Sequence, residues 1–173
     1  TCYKTMMGGR GGVILCREEL AKALDSAVFP GCQGTSAVNM IAAKAHIFKL
    51  AQEEPFRLLQ RRTIDNAAHL ARALAELGYR VVSGGTDNHQ VILDVRSKGL
   101  GGKQAEDRLE AAGILANRNA IPSDENHPGR ISGLRLGTSA LAARGLEPAQ
   151  MVEVARLIDR ALMGGDAPDN LPQ

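Results

Sequence analysis

Apolar residues along the chain recur with two different periods, and glycine clusters mark where one gives way to the other. Residues 1 to 16 form a glycine-rich loop, with Gly8, Gly9, Gly11 and Gly12, that runs into an apolar strand at Val13-Ile14-Leu15. A short helix is predicted over 17–24. After Phe29-Pro30-Gly31 comes a second helix, in which Val38, Ile41, Ala42, Ala45 and Phe48 fall on helical spacing and which ends near Pro55. Over 56–77, Leu59, Ile64, Ala67, Leu70, Ala71, Leu74 and Leu77 make one stripe, stopped by Gly78 at the position favoured for a left-handed cap. Beyond Gly78 the period drops to that of strands. A strand over 79–83 leads through the tight connection Gly84-Gly85-Thr86-Asp87-Asn88 to a second in which Val91, Leu93 and Val95 alternate, an antiparallel pair. A helix over 103–112 closed by Gly113, a short strand near Ile114-Leu115, a proline-containing loop, a strand over 131–137 and a last helix over 148–162 complete the pattern. Residues 164–173 are expected to be a flexible tail. From about residue 56 the elements make a small α+β unit, two helices flanking a mostly antiparallel sheet, whereas residues 1–55 look like the end of a different domain.

Composition narrows the class of protein. A chain of 173 residues, 44% hydrophobic and 23% charged, has the make-up of a soluble globular protein. Its net charge of +2 gives no continuous basic footprint for a phosphate backbone, so nucleic acid is excluded as the main partner. No apolar run approaches the roughly 18 residues that cross a bilayer, and no signal-type segment stands at the start, so a cytosolic location and no membrane partner are expected. The cysteines, Cys2, Cys16 and Cys32, lack metal-ligand spacing and are expected to be free thiols. The chain opens at Thr1, directly in a run dense with chemistry, and is expected to be part of something longer.

Two places stand out chemically. Lys4 lies ahead of four glycines and Arg10, where backbone can approach a ligand closely and a lysine held by its neighbours can form a Schiff base; a solvated surface charge is the alternative. In Ser132-Gly133-Leu134-Arg135-Leu136-Gly137-Thr138, Leu134 and Leu136 share one strand face. Arg135 projects from the other, between two glycines that leave that face bare. An arginine so placed suits a planar bidentate ligand such as a carboxylate, or stands on an edge strand in solvent. His46 and His69 read as ordinary helix residues, Asp87-Asn88-His89 as a turn that uses its own polar groups, and Asn117-Arg118-Asn119 as a loop that binds something polar or caps itself.

Several longer runs occur together. They are Lys4-Thr5 followed by Gly8 and Arg10-Gly11-Gly12; Ser26-Ala27-Val28-Phe29-Pro30-Gly31 with Gln33-Gly34; Ile41-Ala42-Ala43-Lys44-Ala45; Ser83-Gly84-Gly85-Thr86-Asp87-Asn88-His89; and the run around Arg135 with Arg144-Gly145. In that order they resemble the C-terminal part of serine hydroxymethyltransferase, a pyridoxal-phosphate enzyme of the aspartate aminotransferase fold, fold type I. The resemblance implies an α/β and α+β chain: the end of the large cofactor domain with a connecting helix over 1–55, and the small C-terminal domain over 56–163. It implies that Lys4 carries pyridoxal 5'-phosphate covalently and that Arg135 clamps the substrate α-carboxylate. Asn119 matches a contact to the pterin of tetrahydrofolate, the co-substrate. Gly34 matches the first of two glycines whose amides bind the cofactor phosphate of the neighbouring subunit, with Thr35 at the position of the second, and Tyr3 and Arg10 stand beside the cofactor. A homodimer or tetramer with shared sites is therefore implied.

The resemblance also has departures. Tyr3 stands for the family's histidine before the lysine, Thr35-Ser36 for Gly-Pro and Asn39 for another histidine. Gly9 and Ser139 stand for prolines, and Ala142-Ala143 for two threonines. The family's phosphate loop, ring-stacking histidine, pyridine-pairing aspartate and proton-handling glutamate all precede its lysine. These 173 residues are therefore expected to need a missing N-terminal half or partner chain. The implied reaction is serine/glycine interconversion with one-carbon transfer to tetrahydrofolate. The alternatives are aldol transfer of the L-threonine transaldolase type and a non-catalytic, partner-binding fragment, against which intact Lys4 and Arg135 argue.

Overall fold

A computed structural model describes residues 1–124 and 131–164. The chain divides into two compact units, Thr1–Arg57 and Leu58–Gln173. The expected tail falls almost wholly at 165–173, outside the described residues.

In the first unit, helix α1 (Glu18–Ser26) begins with Glu18 and Glu19, whose charges favour a helix N-terminus. Helix α2 (Val38–Leu50) buries Ile47 and carries Lys49 in its last turn. The strand expected at Val13-Ile14-Leu15 does not form: these residues are unpaired and 52%, 62% and 89% exposed. A strand needs a neighbour to take its backbone groups and a layer to cover its faces, and the described residues of this unit supply neither. The helix predicted to reach Pro55 is two helices. Single turns after Leu50 end α2, and helix α3 (Glu54–Glu76) starts afresh with Pro55 in its first turn, where a missing N–H is tolerated.

The second unit takes up α3 from Leu58. Thr63, Asn66, Ala67, Leu70, Ala71, Ala73 and Leu74 are its buried stripe. Ile64, expected on that stripe, is 43% exposed. The helix ends in a Schellman motif: Gly78, at φ +87°, donates to Ala75 O at 2.9 Å and Tyr79 N donates to Leu74 O at 3.0 Å. Strand β1 (Arg80–Val81) follows, shorter than the predicted 79–83. At Val82–Gly84 the backbone turns, with Ser83 at φ +65°. Strand β2 (Gln90–Asp94), helix α4 (Gly102–Ala111), strand β3 (Asn117–Asn119), strand β4 (Gly133–Gly137), the short helix α5 (Ser139–Ala143) and helix α6 (Met151–Met163) complete the unit.

The sheet order is β1-β2-β4-β3, antiparallel throughout. β3 replaces the strand expected at Ile114-Leu115. Ile114 N donates to Leu109 O at 2.8 Å in closing α4, so residue 114 is used in the helix cap and pairing begins three residues later. The pattern missed β3 because Asn117-Arg118-Asn119 has no apolar alternation. β4 lies between β2 and β3, with Arg135 paired to Ile92 on one side and to Asn117 on the other. Leu134 and Leu136 point into a core shared with Val91 and Leu93 of β2, Leu70 and Leu74 of α3, Leu109 of α4, and Met151, Ile158 and Leu162 of α6. Three helices rather than two thus share the sheet's core.

The sheet's polar end is organised by Asp94. Its buried carboxylate accepts from Arg96 N at 3.1 Å, Arg96 Nε at 2.9 Å, Arg96 Nη2 at 2.7 Å and Arg80 Nη1 at 3.1 Å. The Arg96 hydrogen bonds, working against burial and helped by the Arg96 and Arg80 charges, hold this carboxyl below the usual carboxylate range. A depressed acid stabilises the fold above its unfolded pKa of about 3.9 and loses that contribution as pH falls through the folded value. Asp94→Asn should therefore cost on the order of 2 kcal/mol at pH 7, typical of hydrogen bonds to a charged group. Urea unfolding should show this gap to the wild type closing as the solution is acidified through and below pH 4.

Candidate functional site

Lys4 opens a tight turn in the first unit: Met7 N donates to Lys4 O at 2.9 Å, and the lysine side chain is exposed. The turn is closed by Gly8 N to Cys2 O at 2.7 Å and Cys2 N to Gly11 O at 3.0 Å, with Cys2 buried. Two of the loop's glycines serve packing rather than ligand approach. A Cβ on Gly8 would lie 2.6 Å from Ile47 Cγ2, and one on Gly9 3.0 Å from Ala43 Cβ, so both let the loop lie against α2. Lys44 Nζ, also on α2, donates to Gly12 O at 3.3 Å. The Arg10 guanidinium stands 5.2 Å from the centre of the Tyr3 ring, a cation–π contact.

Arg10 and Thr35 line one open cavity of about 860 Å³, together with Lys44, Ser36, Gln33 and Asp25. Lys4, Tyr3 and Gly34 are not in its lining. Gly34 is exposed, and a Cβ there would meet nothing within 4 Å, so its backbone is open to a ligand.

In the second unit, Arg135 is exposed on β4 and lines a cavity of about 300 Å³ with His89, Gln90, Asn117 and Ser139. The flanking glycines are not alike, contrary to the expectation that both clear its face. Gly137 is open, since a Cβ there would meet only His89 O at 3.8 Å. Gly133 is not, because a Cβ there would lie 2.5 Å from Ile121 Cγ2. Gly133 is glycine because β3 passes too close for anything else.

Asn119 lies outside this cavity's lining, and its side-chain nitrogen donates to Ala120 O at 2.7 Å. Asn117, directly opposite Arg135, is the asparagine that lines it. Sequence reasoning left His89, Gln90 and Ser139 out. Thr86 and Asn88 meet the turn's needs, with Asn88 N donating to Thr86 Oγ1 at 3.2 Å and Gln90 N to Asn88 Oδ1 at 2.9 Å. That leaves the His89 ring for the cavity. Their placement follows from strand pairing: Gln90 begins the strand that pairs with the arginine strand, and His89 stands just before it.

His46 is exposed on α2, and His69 Nδ1 donates to Asp65 O of its own helix at 2.8 Å. Among the described residues no group of three or more His, Cys, Asp and Glu side chains could hold a metal, and no helix is long and apolar enough to cross a membrane.

The family model for serine hydroxymethyltransferase matches residues 1–158. This chain belongs to the serine hydroxymethyltransferase family. Members of that family are transferases of serine and glycine metabolism that use pyridoxal phosphate and tetrahydrofolate. The donor chemistry fits an anionic cofactor: cations at Arg10 and Lys44, hydroxyls at Thr35 and Ser36 around one cavity, an open backbone at Gly34 and an exposed primary amine at Lys4.

The packing of the Lys4 loop can be tested through the thiols. Cys2 is buried while Cys16 and Cys32 are exposed. A thiol reagent should modify Cys16 and Cys32 quickly and Cys2 at least tenfold more slowly. Gly8→Val, by pushing the loop off Ile47, should bring Cys2 to the rate of the others, as followed by mass spectrometry of the labelled peptides.

Proposed function

We propose that this chain is the lysine- and arginine-bearing part of an enzyme that interconverts serine and glycine, with one-carbon transfer to tetrahydrofolate. The observation that carries the reading is Arg135. It stands on a doubly paired strand beside an open glycine, at a cavity with no carboxylate among the described residues of its lining, in a chain that belongs to this family. Pyridoxal phosphate, when bound, supplies the electron sink that stabilises negative charge at the substrate α-carbon. Lys4 supplies the amine that holds it covalently and gives way to the substrate amine. Arg10, with Gly34 and Thr35, is the source of positive charge and backbone donors for the cofactor's anionic groups. Tyr3 stays beside Arg10 and orients it. Arg135 takes the substrate α-carboxylate in a bidentate grip, which fixes the orientation of the bond to be broken. Asn119 offers its amide to the pterin once it exchanges its bond to Ala120 O. Residues 1–57 then form the end of the large cofactor domain with its connecting helix, residues from 58 the small domain of a fold-type I enzyme, and the active assembly is a homodimer or tetramer with shared sites.

The 173 residues alone should bind pyridoxal phosphate weakly and cleave no serine, because ring-stacking and pyridine-pairing groups come from a missing N-terminal half. Joined to such a half, the protein should cleave serine in a tetrahydrofolate-dependent way, with Arg135→Ala raising the serine KM. Loss of a charge-assisted contact costs on the order of 2 to 5 kcal/mol, which is roughly 30-fold or more in affinity. Cofactor absorbance should be unchanged in that variant. An unchanged KM would remove Arg135 from the site. Threonine cleavage that matches or exceeds serine cleavage and ignores tetrahydrofolate would instead favour the transaldolase reading, which the Tyr3, Thr35 and Ser139 departures make the rival.

A further inference from the structure

We propose that the Arg135 cavity takes a ligand with two carboxylates, one held by Arg135 and Asn117 and the other, across Gly137, by His89, Gln90 and Ser139. The proposal rests on the reading of Arg135 as a carboxylate clamp and extends it to the far end of the ligand. The strand register sets the arrangement. Arg135 is opposite Asn117 on one side, and Gly137 is opposite Gln90 on the other. Arg135 and Gly137 share a face and stand about 7 Å apart along the strand, two residues at the strand rise. Gly137 is the floor between two groups of donors, and nothing but His89 O comes within 4 Å of where its Cβ would be.

Among the described residues no side-chain hydrogen bond engages Arg135, Asn117, His89 or Gln90. The Ser139 hydroxyl is shielded from solvent without a partner. Some arginines of this unit are paired, as Arg62 is with Glu147 at 2.9 Å and Arg96 with Asp94 at 2.7 Å, whereas Arg135 faces the cavity. A shielded polar group is ordinarily satisfied, and the unsatisfied Ser139 hydroxyl at this cavity points to a ligand that satisfies it. Among the described residues no carboxylate lines this cavity, so a second cationic group on the ligand would meet no counter-charge from them, whereas a second carboxylate meets hydrogen-bond donors. Backbone positions about 7 Å apart along the strand leave room for a short-chain dicarboxylate such as succinate or L-aspartate, which a single compact oxyanion would not fill.

Isothermal titration of the 173-residue chain at pH 7 with acetate, succinate, L-aspartate and inorganic phosphate tests this. Succinate and L-aspartate should bind at least tenfold more tightly than acetate or phosphate. His89→Ala and Gln90→Ala should bring succinate down to the acetate level while leaving acetate unchanged. His89→Gln, which keeps a donor, should restore most of the difference, and Arg135→Ala should abolish binding of all four. Succinate no tighter than acetate, phosphate matching succinate, or succinate binding unaltered in His89→Ala and Gln90→Ala would each overturn the proposal. If acetate is still lost in Arg135→Ala, the single clamp stands without it. If no anion depends on Arg135, the clamp falls as well.

Discussion

A strand paired on both edges cannot slip by one residue without turning every side chain to the opposite face, and in the Leu58–Gln173 unit β4 is that strand. Its alternation puts Leu134 and Leu136 into the core and Arg135 outside. A one-residue shift would bury a guanidinium without a partner and expose two leucines, a penalty of several kcal/mol from the unpaired charge alone. Gly133 reinforces the register from the other edge, since only a residue without Cβ lets Asn119 and Ile121 lie where they do. The direction in which Arg135 points is thus fixed by the packing of its neighbours rather than by any contact of its own.

The N-terminal end of this strand is held by two carboxylates. Asp94, paired in register with Gly133, gathers Arg80 and Arg96. Asp124 accepts from Ile121 N at 3.2 Å and Ser132 N at 2.8 Å, tying the residues just before β4 to the stretch that follows β3. Burial alone would raise the Asp124 carboxyl, but the Ser132 and Ile121 hydrogen bonds and the Arg96 charge outweigh it and leave the group below its ordinary value. Just before β1, Tyr79 donates to Asp159 at 2.9 Å beneath Lys98. Burial first, and then the Asp159 hydrogen bond and charge, push its hydroxyl above the ordinary range, so it remains a neutral donor. Polar groups therefore pin the margins while the apolar alternation sets the middle.

Much of this was legible in the sequence, for identifiable reasons. The α3 stripe and its stop at Gly78, the β2 alternation and the face of Arg135 are carried by period and by a residue whose conformation is special. β3 was not legible, because an edge strand of Asn, Arg and Asn is recruited by pairing with β4 and carries no pattern of its own. Val13-Ile14-Leu15 misled in the opposite sense: the run has strand propensity, but propensity without a neighbour makes no strand. Ile64 shows the same at a single residue, since a stripe drawn from spacing does not say where it stops. At the candidate site, Lys4 and Arg135 came from motifs. His89, Gln90 and Ser139 could be found only once the register of β2 and β4 brought them beside the arginine.

Glycine carries two opposite meanings in this chain, and only the packing separates them. Gly8, Gly9 and Gly133 are small because something already occupies the place a side chain would take: α2 for the first two, β3 and the residues after it for the third. Gly34 is small with nothing within 4 Å of where its Cβ would be, and Gly137 with only His89 O at 3.8 Å, in stretches where Thr35 and Arg135 line cavities. Replacing the first kind damages the fold, and replacing the second kind fills space that the protein itself leaves empty. A motif read as glycine-rich treats all of them as ligand approach. The structure divides them, and Gly137 is the open one beside Arg135, at the cavity that the arginine lines.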